Sequence, residues 1–215
     1  EPYNMNINKI IDFIESVNKE KDYIYCNLFG GEPTIHPLIG DIVDGLSHNN
    51  IRINLETNLS LDNEVLKKIY KKIYFFEISY HYGYVNDKIF FKNLNFLLDN
   101  NGNIWLRLMV ENNYFDYIMN LYNIYKNKCN ITIRFVNNGK NELFKGISAK
   151  NVVKYLKITN KKIKTDRNFD KEKYAYRNYF CDIIKCGFYI DSNGDIYPCQ
   201  SYKYSIHDYN RVPLD

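Results

Sequence analysis

Helical and strand-like segments alternate along residues 1–136, and this alternation limits the possible folds more than any other feature of the chain. Ile7, Ile10, Ile11, Ile14 and Val17 recur at helical spacing. The run YIYCNLF (23–29), rich in aromatic and β-branched residues, predicts a strand that ends in Gly30, Gly31, Glu32 and Pro33. LIGDIVDGLSHNN reads as a helix that frays into asparagine, and IRINLE as a short alternating strand. In DNEVLKKIYKKI, Asp62 has the position of an N-cap ahead of Val65, Leu66, Ile69 and Tyr70. YFFEIS is a strand, and DKIFFKNLNFLLDNNG a helix closed by asparagine and glycine. IWLRLMVE (strand), YFDYIMNLYNIYKNKC (helix) and ITIRFV (strand) complete the series. Short polar connections between such elements mean parallel strands joined by helical crossovers. Near-continuous apolar strands fit a sheet covered by helices and closed around a lumen. The expected class is therefore α/β, and because the series opens on a helix, a strand and a loop are expected in front of it.

Composition narrows the function classes. Apolar residues make up 45% and charged ones 25%, ordinary for a globular protein, and no apolar run approaches the roughly 18 residues of a spanning helix. A net charge of +4 with scattered Lys and Arg does not describe a nucleic-acid groove. Five cysteines, an odd number, with no export signal point to a reducing, cytoplasmic setting and to thiols or metal ligands. Cys26 and Cys129 read as packing residues, whereas Cys181, Cys186 and Cys199 crowd together near the end of the chain.

In βα architectures ligands bind at the carboxyl ends of the strands. Gly30–Pro33 lie at one such end, Thr57 and Asn58 at the next, Ser79 with SYHYG at the third and Glu111 at the fourth, so four polar groups converge on one rim. Paired glycines permit close backbone approach, a carboxylate accepts from an amino group, and Pro33 holds Glu32 extended. A tight strand-to-helix turn with a solvated glutamate is the plain alternative for these four residues.

FGGEP at what would be a second barrel strand, TN in LETNLS, ISYH, and the terminal CGFYIDSNGDIYPC together resemble the radical S-adenosylmethionine (SAM) superfamily. The resemblance covers nearly the whole chain and implies a partial (β/α)6, TIM-like barrel whose first strand is missing here. It implies that Gly30, Gly31 and Glu32 hold the methionyl amino group of SAM, with Pro33 fixing the turn. It places Thr57 and Asn58 near the amino-acid or ribose part, Ser79 at a ribose contact, and Arg107 and Glu111 on a strand carrying adenine and carboxylate contacts. For Arg107 and Glu111 the alternatives are a barrel-interior polar residue and a surface acid. His36 and His81 read as loop-bonding or pocket-lining residues.

The chain departs from the superfamily in one respect: it contains no Cys-x3-Cys-x2-Cys, the loop that binds the [4Fe–4S] cluster. Removal of the first strand and its loop from this chain is one expectation, and a degenerate relative is the other. Gly194-x4-Cys199 after Cys186 is similar to the opening of the auxiliary-cluster (SPASM or twitch) extension of peptide-modifying members. It makes Cys181, Cys186 and Cys199 candidate metal ligands for an auxiliary iron–sulfur cluster, and reduced packing cysteines are the alternative. Asn193–Gly194 between two short β-prone runs predicts a hairpin there. The domain reading is a barrel over 1–137, an irregular linker with a short helix at NVVKYLKI over 138–180, and a cysteine-bearing hairpin segment over 181–215.

Two functions follow. One is an enzyme core that, with its cluster, generates a 5′-deoxyadenosyl radical to modify a peptide or protein, fed by flavodoxin or ferredoxin. The other is a cluster-free scaffold or sensor that keeps a SAM or nucleotide pocket. An ordinary βα-barrel enzyme with a chance GGEP is a blander third. Neither a nucleic acid nor a membrane is an expected partner.

Overall fold

The computed structural model describes residues 7–18, 23–47, 50–135, 148–159, 189–190 and 196–197. The expected alternation is present: α1 (Ile7–Asn18), β1 (Ile24–Leu28), α2 (Ile39–Leu46), β2 (Ile51–Thr57), α3 (Asn63–Ile69), β3 (Ile73–Tyr80), α4 (Asp87–Asp99), β4 (Ile104–Val110), α5 (Phe115–Tyr125), β5 (Asn130–Phe135) and α6 (Ala149–Thr159). Strands β1 to β5 form one sheet in sequential order, and every pairing is parallel. This is the partial α/β barrel expected of the alternation. The chain divides into two compact units: Asn18–Ile163, which holds the sheet, and Glu1–Val17 with Lys164–Asp215. In the second, β6 (Tyr189–Ile190) pairs antiparallel with β7 (Ile196–Tyr197), the ladder a hairpin across Asn193–Gly194 requires.

The period-2 pattern of each strand separates two chemistries. Ile53, Leu55, Phe76, Ile78, Tyr80, Leu106, Leu108 and Val110 are buried, as are Val43, Leu66, Ile69, Phe90, Leu94, Leu97 and Ile118 of the helices. Each such aliphatic or aromatic side chain contributes about 1.5–3 kcal/mol by leaving water. The alternate strand positions carry Asn27, Asn54, Glu56, Glu77, Ser79, Arg107 and Thr132, a polar face. On it Asn54 donates to Asn27 at 2.7 Å and Trp105 to Thr132 at 2.6 Å. A bulge where β2 meets β3, between Ile53 and Asn54, puts both Tyr74 and Phe75 between the core residues Ile73 and Phe76. Tyr74 then stacks under the Arg52 guanidinium, 4.7 Å from its ring centroid.

Local signals set the helix ends. Asp62 caps α3, accepting from the amide of Glu64 at 2.8 Å, as its position predicts. Asn86 caps α4 by accepting from Lys88 and Ile89. The close of α4 differs in detail from the expectation. Asn101, not the glycine, takes the left-handed conformation (φ +57), while the amide of Gly102 donates to Leu97 O at 2.8 Å. Asparagine tolerates that region, and a Cβ on Gly102 would lie 3.0 Å from Leu97 O.

Candidate functional site

The chain leaves β1 through two residues with positive φ, Gly30 (+96) and Gly31 (+36). A Cβ at either would meet nothing within 4 Å, so the backbone there borders open space. The glycines serve conformation rather than packing. Glu32 follows in an extended conformation (φ −131, ψ 101), the geometry a residue before proline favours, and Pro33 opens a 3-10 turn, Pro33–Ile35.

Glu32 caps that turn, and its carboxylate ties the ends of two strands together. Oε1 accepts from the Thr34 amide at 3.1 Å, from the Thr34 hydroxyl in a short contact, and from the Thr57 hydroxyl at 2.6 Å. Oε2 accepts from the Asn58 amide at 2.6 Å. Thr57 also accepts from the Leu59 amide at 2.9 Å, and Asn58 Oδ1 from the Ser60 amide at 2.9 Å. The parallel register makes this possible. Leu28 lies opposite Leu55, so both strands deliver their following loops to the same rim. Gly30, Gly31, Glu32, Pro33, Thr57 and Asn58, expected at one site, therefore form one cluster.

The remaining candidates form two further groups. Ser79 on β3 lies opposite Arg107 on β4 in the register. Arg107 makes a close ion pair with Glu77 and a longer one, 3.8 Å, with Glu56. Burial lowers the Arg107 pKa, the nearby Arg134 lowers it further, and Glu56 opposes both. Arg107 is thus a barrel-interior residue held by two carboxylates, the alternative left open for it. Glu111 extends from the end of β4 and lines a small cleft with His81, Tyr82, Tyr84, Met109 and Tyr114. Burial lowers the pKa of His81 there, against the opposing pull of Glu111. Tyr82 and Tyr114 stack at 4.2 Å between centroids. His36 Nδ1 accepts from the Leu38 amide at 3.1 Å, and so bonds its own loop, while His81 lines the cleft.

Sequence reasoning missed two contributors. Thr34 stands two residues after a carboxylate and next to a proline, the spacing of an N-cap and its N2 residue, so a signal existed. Asn93, fully buried on α4, donates to Leu59 O at 3.1 Å and Leu61 O at 2.9 Å, and holds the loop that follows Asn58. Leu59 in that loop has φ +54, a conformation a leucine keeps only when its surroundings impose it.

The residues at this corner suit SAM: an ionisable carboxylate with an oxygen that takes a single protein donor, beside two glycines bordering open space. They do not suit the iron–sulfur cluster. The sequence has no Cys-x3-Cys-x2-Cys, and among the described residues no group of three or more His, Cys, Asp or Glu could hold a metal ion. Cys26 and Cys129 are separate thiols, each pushed up to about 11 by burial, as packing residues would be. Cys181, Cys186 and Cys199 lie outside the described residues. Among the described residues no helix is long and apolar enough to cross a membrane.

No family model matches the chain, and no curated protein does. Solved structures do. Streptococcus suis SuiB bound to S-adenosylmethionine is similar over 97% of this chain and 56% of its own length, at 13% identity and a TM-score of 0.60. Native anSMEcpe with bound AdoMet and Kp18Cys peptide is similar over 91% of this chain and 65% of its own, at 14% identity and a TM-score of 0.55. The same protein with Cp18Cys peptide gives 90%, 65%, 14% and 0.55. The chain thus spans a little over half the length of SuiB and about two thirds of anSMEcpe. At these identities the likeness establishes the fold, and that fold is the one the superfamily resemblance implies.

Proposed function

We propose that this chain is the SAM-binding core of a radical SAM protein that modifies a peptide or protein. The observation that carries the proposal is the corner itself, where Glu32 is fixed beside Gly30 and Gly31 at the carboxyl ends of parallel strands. Structures of the same fold that hold SAM, and in one case a peptide as well, support the reading. In it, Glu32 and the glycine backbone take the methionyl ammonium, Asn58 and Ser79 border the ligand, and Glu111 lines its far end. Bound SAM would supply an activated adenosyl group at its sulfonium. The reductive chemistry of the superfamily needs a [4Fe–4S] cluster and an electron donor such as flavodoxin or ferredoxin, in a cytoplasmic setting. This chain has no ligands for that cluster, and no step is derived through it. Cys181, Cys186 and Cys199 belong to the proposal as ligands of an auxiliary cluster in the segment 181–215.

The missing cysteine triplet favours one second reading, a cluster-free relative that binds SAM as a scaffold or sensor. Calorimetric titration of the chain with SAM tests what the two readings share. Glu32→Gln keeps the shape but removes the charge, and should weaken SAM binding about 10- to 100-fold, the range of a charge-assisted hydrogen bond. Equal affinity in the variant, or no SAM binding by the chain, would refute the reading. Anaerobic reconstitution with iron and sulfide, scored by 5′-deoxyadenosine release, then separates enzyme core from scaffold.

A further inference from the structure

Glu32 offers two oxygens that are unequally used. Oε1 takes three donors, the Thr34 amide, the Thr34 hydroxyl and the Thr57 hydroxyl, which exhausts its lone pairs. Oε2 takes only the Asn58 amide and retains acceptor capacity. We infer that Thr57, backed by Thr34, is a positioning residue that dedicates Oε1 to the fold and leaves Oε2 for a ligand's primary ammonium. The inference rests on the SAM-binding reading and assigns its selectivity for the amino-acid end of the ligand.

The hydroxyl geometry supports this directly. Thr57 has one proton and accepts from the Leu59 amide at 2.9 Å, so its proton is left for Glu32, 2.6 Å away. The Thr34 and Thr57 hydroxyls approach each other only to 3.5 Å, and both converge on Oε1. Thr57 is 5% exposed and Thr34 6%, so water cannot take the place of a deleted hydroxyl. Without Thr57's proton the carboxylate can rotate, and Oε2 loses its fixed place beside Asn58.

The test compares SAM with 5′-methylthioadenosine, which keeps the adenosyl thioether and lacks the amino-acid end. Calorimetry on the whole chain and on its Thr57→Val and Thr57→Ser variants gives the readout. Thr57→Val should bind SAM about tenfold more weakly while its methylthioadenosine affinity is unchanged, and Thr57→Ser should return SAM affinity to within about threefold of the parent. A parent chain that prefers SAM, with Thr57→Val keeping that preference, would overturn the role of Thr57 alone. Equal loss of both ligands, or no rescue by serine, would overturn it too, since it would indicate structural damage. A parent chain that does not prefer SAM over methylthioadenosine would remove the ammonium-pairing reading and this inference with it. If Thr57→Val does not fold, Thr34→Val removes the other hydroxyl on Oε1 and is held to the same criteria.

Discussion

Asn93 lies on the core face of α4 with no exposure to solvent, and its replacement tests how the loop after β2 is held. Its amide donates to Leu59 O and Leu61 O at 3.1 and 2.9 Å, and its Oδ1 accepts from Asn63 at 2.9 Å. Asn93→Ala strands both carbonyls in a dry setting, at about 1–3 kcal/mol each. Asn63 is only half-buried and can turn to water, so its loss is small. The expected cost is about 3 kcal/mol, which moves a urea midpoint by about 1.5 M for a slope near 2 kcal/mol per molar. Asn93→Asp should be worse at neutral pH than alanine, because it sets a carboxylate oxygen against two carbonyl oxygens with no donor between them. Protonation would supply a donor, so the aspartate variant should recover relative to the alanine variant as the pH falls. Equilibrium urea denaturation followed by circular dichroism measures all three proteins. An alanine variant within about 0.5 kcal/mol of the parent, or an aspartate variant no weaker than alanine at pH 7, would refute the account of this loop.

Other consequences are equally direct. Gly31→Ala should cost about 1 kcal/mol, because φ is +36 while a Cβ meets nothing within 4 Å; Gly31→Asn should cost less, with both read as melting temperatures. Arg107→Gln should destabilise by roughly 2–3 kcal/mol by leaving Glu77 unpaired. Glu77→Gln added to it should recover at least half, as a double-mutant cycle in urea would show. Burial raises the thiols of Cys26 and Cys129 to about 11, so at pH 8 each should alkylate roughly 100-fold more slowly than an unperturbed cysteine, read by peptide mass mapping. The same raised values mean that these two thiols do not affect stability below the ordinary 9.0. Stability is lost between 9 and 11, where the unfolded chain gives up its protons first.

Much of this molecule is written in local periodicity. Apolar spacings of 3.6 and 2 residues specified each helix and strand of the sheet-bearing unit, and short polar connections made the strands parallel. Asp62 was legible as a cap because capping depends on neighbours two or three residues away. The positive φ of Gly30 and Gly31 and the extended Glu32 were legible for the same reason. Asn93 left a weaker trace. It shares the helical stripe of Phe90, Leu94 and Leu97, where a polar residue is out of place unless it has partners, but its partners are 32 and 34 residues away. Arg107 could be placed on β4 but not resolved between ligand contact and interior ion pair, since Glu56 and Glu77 reach it from two other strands.

What the sequence by itself determined is the alternation, the single rim on which four strand ends meet, and the residue types that gather there. Only the tertiary structure decided that Thr57 and Asn58 spend their donors on Glu32, 25 and 26 residues away. Periodicity fixes which face a side chain takes, because that is a property of backbone geometry. The choice of hydrogen-bond partner depends on distances of a few tenths of an ångström between segments remote in the chain, and those distances exist only once the core has packed.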